Sequence, residues 1–148
     1  AGMASIARPA PAVRPEHLVI IGARDLDQAE RTHAREYGVT IYTMRDIDER
    51  GLRTVLAEAI AAVSQGTTGL HVSLDLDFVD PRDAPGVGTP VRGGVTYREA
   101  HLAMEMLWDS GRVVSLDLVE VNPVLDSYNQ TAELAVELMA SAFGQRIL

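Results

Sequence analysis

Four short, mostly apolar runs, each followed by a segment of helical period, constrain what this chain can fold into. Leu18-Val19-Ile20-Ile21-Gly22, Val39 to Tyr42, Leu70 to Asp75 and Arg112 to Val119 read as strands. Helices are predicted between and after them. Asp27 caps the first, Glu30 completes a capping box, and Gly38 ends that helix near Tyr37. The second runs from Leu52 to Val63, with Leu52, Val55, Leu56, Ala59, Ile60 and Val63 on one stripe. Thr96 and Glu99 open the third, which Gly111 closes, and Asn129 to Phe143 forms the fourth. Strands that alternate with helices predict an α/β fold. It is a three-layer α-β-α arrangement with a mostly parallel sheet.

In such sheets ligands bind outside the carboxyl ends of the strands. Asp25 and Asp27, Asp75 and Asp77, and Glu120 all follow strand ends, so three strands deliver carboxylates to one rim. Within Ser73-Leu74-Asp75-Leu76-Asp77-Phe78-Val79-Asp80-Pro81, an extended backbone points Asp75 and Asp77 to the same face, about 7 Å apart. Two carboxylates ending an apolar strand carry a large desolvation cost unless a cation or several donors meet them. A hard, oxygen-seeking divalent metal is the simplest partner. The competing reading makes them turn formers or caps. Asp80, ahead of Pro81, is expected to open a turn, and Asp117 to make a structural hydrogen bond. Glu120 reads equally as acceptor for a planar cation or as half of a strand-end ion pair.

Composition narrows the function. The chain has 148 residues, enough for one domain with a core, and a formal net charge of -8. That charge argues against nucleic acid or an anionic membrane as partner. Cysteine is absent, which removes disulfides, zinc-thiolate sites and a cysteine nucleophile, and is compatible with a cytoplasmic location. No apolar run approaches the roughly 18–20 residues of a membrane span. Residues 1–17, with Pro9, Pro11 and Pro15, read as a linker or the scar of a truncation.

Other motifs are weaker. Gly86-Val87-Gly88-Thr89-Pro90 lacks the lysine and spacing of a phosphate loop, so its glycines suit close backbone approach. His17, His33, His71 and His101 show no metal-ligand spacing and are expected in structural or surface roles. Met104, Met106, Leu107 and Trp108 read as helix core.

Ser73-Leu74-Asp75-Leu76-Asp77 with Asp80-Pro81 resembles the second metal motif of the ureohydrolases. Ala84 to Glu99, with Gly86-Val87-Gly88-Thr89-Pro90 at its start, resembles the loop and helix start of arginases. Val119-Glu120-Val121-Asn122-Pro123 is similar to their next motif, and Ile21-Gly22-Ala23-Arg24-Asp25-Leu26-Asp27-Gln28-Ala29-Glu30 to their segment facing the substrate's amino-acid end. The resemblance runs from about Leu18 to the C-terminus and is nearest to bacterial arginases.

The resemblance implies an arginine hydrolase that yields ornithine and urea. Two manganese ions would carry a bridging hydroxide that attacks the guanidinium carbon. It implies Asp75 and Asp77 as metal ligands, Glu120 as the catalytic and guanidinium-binding carboxylate, and Thr89 in the substrate pocket. Asp27 and Glu30 would receive the α-ammonium. It also implies a homo-oligomer, a trimer or hexamer, with Arg98 and Glu99 near a subunit contact. Phe78 stands where arginases usually have glycine. The family's Gly-Gly-Asp-His stretch, its Asp-x-His-x-Asp motif and its proton-shuttle histidine have no counterpart here. Residues 18–148 are therefore expected to be the C-terminal part of one arginase-like domain, incomplete and inactive alone. Agmatinase, another ureohydrolase, or a non-catalytic interaction fragment are the alternatives.

Overall fold

The computed structural model describes residues 13–146, so most of the expected linker over 1–17 lies outside the described residues. After a 3-10 turn at Pro15–His17 come β1 (Val19–Ala23), α1 (Gln28–Tyr37), β2 (Thr40–Thr43), α2 (Met44–Arg50) and α3 (Leu52–Ser64). β3 (Leu70–Asp75), a 3-10 turn at Leu76–Phe78, α4 (Tyr97–Asp109), β4 (Val113–Val119) and α5 (Gln130–Ala142) complete the order. The predicted alternation is present. The added element is α2, which begins directly at the end of β2. Thr43 caps it, and Asp46 closes the capping box onto the Thr43 backbone N–H. A seven-residue helix is too short for its apolar period to stand out in the sequence.

The strands form two parallel pairs, β1–β2 and β3–β4, rather than one continuous hydrogen-bonded sheet. In the second pair, Val72, Leu74, Leu116 and Leu118 face the helices and pack with the core. The other face carries His71, Ser73, Asp75, Ser115, Asp117 and Val119 in register. His71 accepts or donates at Ser115 Oγ (2.9 Å) and meets Asp117 (3.2 Å), while Ser73 Oγ donates to Asp117 (2.6 Å). Asp117 thus has the structural role its sequence position implied. Around the first pair, helices stand on both sides. Ile21 and Tyr42 pack toward the core, and α1 stands off the opposite side without burying a residue.

The core lies between the strands and a layer of α3, α4 and α5. Its most buried members include Val55, Leu76, Val79, Val87, Val95 and Leu138. Each large apolar side chain taken fully out of water contributes about 1.5–3 kcal/mol. Met104 and Leu107 join this core as expected, but Trp108 is 49% exposed. It lies over Gly144, where a Cβ would sit 2.5 Å from the indole. No helix among the described residues is long and apolar enough to cross a membrane.

Phe78 has a specific place. A Cβ on Gly22 would fall 2.5 Å from its ring, so the aromatic side chain lies flat against the backbone of β1. Phe78 therefore fills space between the two strand pairs, at the end of the turn that carries Asp77.

The loop from Asp80 to Gly94 is closed by main-chain pairing. Val79 forms a parallel bridge to Val95, with Asp80 N–H donating to Val95 O (2.9 Å) and Val95 N–H to Phe78 O (3.0 Å). Gly94 is obligatory in this crossing, because a Cβ would lie 2.6–2.7 Å from backbone atoms of Phe78, Val79 and Asp80. The buried Asp80 carboxylate accepts from Arg82 Nε (2.8 Å), Arg82 N–H (3.1 Å) and Gly93 N–H (2.8 Å). The Asp-Pro pair opens a turn, as expected, and also locks the two ends of the loop together.

Arg82, first through its side chain and then its backbone N–H, holds the Asp80 carboxyl down to about 2, with Gly93 adding to the effect against the cost of burial. A lowered folded value means that this stabilisation is fully present above the ordinary value of 3.8 and is lost as pH falls through about 2. Solvent around the exposed Arg82 reduces its size to on the order of 1–2 kcal/mol. Asp80→Asn is expected to lower the melting temperature by about 2–8 °C at pH 7. The difference from wild type should shrink between pH 3.8 and about 2, as followed by circular dichroism. An unchanged gap at low pH would contradict the assignment.

Candidate active site

The carboxyl ends of β3 and β4 meet the Asp80–Gly94 loop at one rim. β3 ends at Asp75, whose Oδ1 accepts the Asp77 N–H (2.9 Å) and caps the 3-10 turn. The turn-forming reading of Asp75 is present in this hydrogen bond, which uses one oxygen of the carboxylate. Burial pushes the Asp75 carboxyl above its usual range. The Asp77 N–H works against this, while the negative charges of Asp77 and Glu120 add to it. Three carboxylates thus share one field.

Glu120 is the first residue past β4. Its φ of 68° places a non-glycine residue in the left-handed region, at a cost of about 1–3 kcal/mol. The kink turns its exposed side chain toward the loop, where Glu120 Oε2 lies 3.4 Å from the position of a Cβ on Gly88. The ion pair considered for Glu120 is absent among the described residues. The chain after it is fixed by Asn122 N–H donating to Gly86 O (2.8 Å). Gly86 N–H in turn donates to the buried Thr131 Oγ1 (2.7 Å). A Cβ at Gly86 would collide with Asp126 at 2.5 Å. These glycines allow close backbone approach, as the sequence implied, and exposed Thr89 follows Gly88, the glycine next to Glu120.

Asp126 and Thr131 carry this support and were not legible as site residues. Asp126 accepts N–H groups of Ser127, Thr131 and Ala132 at the start of α5. Burial opposes its ionised form more than any single donor favours it, yet the three donors together lower its carboxyl. The left-handed Asn129 makes no side-chain cap, so Asp126 caps the helix from outside.

Asp27 and Glu30 stand at the start of α1, as a complete capping box: Glu30 N–H to Asp27 Oδ1 (2.8 Å) and Asp27 N–H to Glu30 Oε2 (2.7 Å). Each uses one oxygen there and leaves the other. They do not touch Asp75, Asp77 or Glu120. The connection runs through Arg24, which donates to the carbonyls of Asp77 (2.5 Å) and Val91. Sequence reasoning passed over Arg24, because its partners lie 53 and 67 residues away.

A cleft of about 620 Å³ lies elsewhere, between α1 and β2, and is lined by Arg24, Arg31, Arg35 and Arg45 rather than by these carboxylates. Among the described residues no group of three His, Cys, Asp or Glu is arranged to hold a metal by itself. Asp75 and Asp77 nevertheless fit part of a hard-cation site: oxygen donors only, close together, with the Asp75 carboxyl raised first by burial and then by neighbouring negative charge. Hard cations take about six ligands, so other donors are required.

A profile of the Arginase family matches residues 2–144. The chain is 54% identical to the arginase of Bacillus caldovelox over 138 residues, which is 93% of this chain and 46% of that protein. It is 55% identical to the arginase of Brevibacillus brevis over the same proportions. The crystal structure of the arginase from Bacillus subtilis subsp. subtilis str. 168 superposes with a TM-score of 0.90 at 52% identity, over 94% of this chain and 47% of the other. The chain spans about half the length of the curated relatives it matches. On this match and the fold that accompanies it, the chain belongs to the arginase family.

Proposed function

We propose that this chain supplies the C-terminal part of an arginase, which hydrolyses L-arginine to L-ornithine and urea. The observation that carries the reading is the shared rim. The negative charges of Asp77 and Glu120 act on Asp75 beside the loop bearing Thr89, in a chain 54% identical to an arginase. Residues 18–148 are read as one part of a single domain.

Asp75 and Asp77 would hold manganese, which when bound acidifies water at near-neutral pH and so supplies the nucleophile. This chain's own residues bind and orient. Glu120 presents a carboxylate to the planar guanidinium, whose fixed fork of donors favours a bidentate partner. Its kinked backbone pre-sets that direction before substrate arrives. Thr89, which follows Gly88, would line the same pocket with its hydroxyl. The free oxygens of Asp27 and Glu30 would receive the α-ammonium at the other end. Water adds to the guanidinium carbon, the bond from that carbon to the side-chain nitrogen breaks, and that nitrogen takes a proton to leave as the ornithine amine.

Agmatine keeps an ammonium at this end and lacks only the α-carboxylate, so relative turnover, not the Asp27 and Glu30 carboxylates, separates arginase from agmatinase. The cysteine-free chain suits a cytoplasmic enzyme. A homo-oligomer, trimer or hexamer, with exposed Arg98 and partly buried Glu99 near the contact, belongs to the same reading.

For the whole enzyme, urea release from arginine is expected to exceed that from agmatine by at least tenfold in kcat/KM. Faster agmatine turnover would reject arginase in favour of agmatinase. Asp75→Asn is expected to lower bound manganese, measured by atomic emission, and to reduce kcat by about 100-fold or more, since lost metal ligands remove the nucleophile. Retention of both manganese and activity would remove Asp75 from the ligand set.

A further inference from the structure

We propose that Arg24 is a positioning residue that sets the spacing between the metal-holding turn and the substrate pocket; this deepens the arginase reading and rests on it. Arg24 is the first residue past β1, and its guanidinium is partly buried. Nη2 donates to Asp77 O (2.5 Å) and to Val91 O (2.8 Å), and Nε donates to Val91 O (3.1 Å). In a chain with 21 acidic residues, Arg24 makes no ion pair among the described residues and instead places three donor contacts on two main-chain carbonyls. A planar guanidinium holds such a pair in fixed geometry.

The two carbonyls matter because of what they belong to. Asp77 N–H is already held by Asp75 Oδ1, so Arg24 fixes the other side of the same residue. With both its N–H and its C=O held, the Asp77 backbone is set, and only side-chain rotation remains free. Val91 lies in the loop whose ends are pinned at Gly86 and at Gly93 to Val95. Between those pins, the stretch containing Thr89 has no backbone–backbone hydrogen bond among the described residues. Buried Val87 anchors its start, and Arg24 adds the side-chain hydrogen bonds at Val91. Asp25 and Asp27 follow Arg24 directly in the chain. One guanidinium therefore joins the α-ammonium segment, the Asp77 turn and the Thr89 loop. Phe78, packed on Gly22 two residues before Arg24, supports the same junction from the apolar side.

Positioning of this kind predicts effects on metal and substrate together. Arg24→Met removes all donors at similar length. Arg24→Lys keeps the charge but replaces the fork with a single ammonium centre. Both are made in the whole enzyme, and manganese binding to metal-stripped protein is titrated by calorimetry beside steady-state kinetics. Arg24→Met is expected to weaken manganese about 10–100-fold, the usual effect of removing a group that orients a ligand. It is also expected to raise the KM for arginine at saturating manganese by about tenfold. Arg24→Lys should fall between Arg24→Met and wild type in both. A merely structural role would lower the melting temperature without moving manganese affinity or KM. The proposal is overturned if either variant, folded by circular dichroism, shows wild-type manganese affinity and KM, or if neither variant folds. A wild-type enzyme that releases no urea from arginine rejects the arginase reading instead, and the manganese titrations still report on Arg24.

Discussion

The parallel bridge between Val79 and Val95 is the contact on which the rim depends. Fifteen residues of loop chain separate them, and such a loop would ordinarily sample many conformations. Here main-chain hydrogen bonds close it at its base, Gly94 permits the crossing, and the buried Asp80 carboxylate binds both flanks. The closure rests on apolar burial, since Val79, Val87 and Val95 are wholly out of water. Loop position is thereby made a property of the core. Thr89 and Gly88 reach the end of β4 because the loop has nowhere else to go.

Against that rigid base the charges are left in tension. Burial raises the Asp75 carboxyl, and the charges of Asp77 and Glu120 add to it. Glu120 adds a left-handed backbone. By contrast Asp80 and Asp126, equally acidic in sequence, are satisfied by donors and lowered.

Much of this was legible in the residues. Strand ends carrying carboxylates, the capping boxes of Asp27 and Thr96, and the turn role of Asp80 follow from local patterns with local physics, and each is present. What local patterns hide is any contact between distant segments. Arg24 reads as a surface charge until Asp77 and Val91 arrive beside it. Thr131 reads as a helix residue until Gly86 donates to its hydroxyl. Phe78 is an oddity in a glycine position until Gly22 offers it an open backbone. The separate strand pairs are likewise hidden in the sequence, because apolar runs mark strands without saying which strands pair.

The central claim is that the carboxylates of this chain form part of a metal site and not a whole one. Urea release from arginine by purified residues 1–148, with manganese supplied in excess and folding confirmed by circular dichroism, tests it directly. The account predicts no urea above background, because Asp75 and Asp77 provide too few donors for two hard cations. Urea release at a rate comparable to the whole enzyme would contradict it, and would show that these residues suffice.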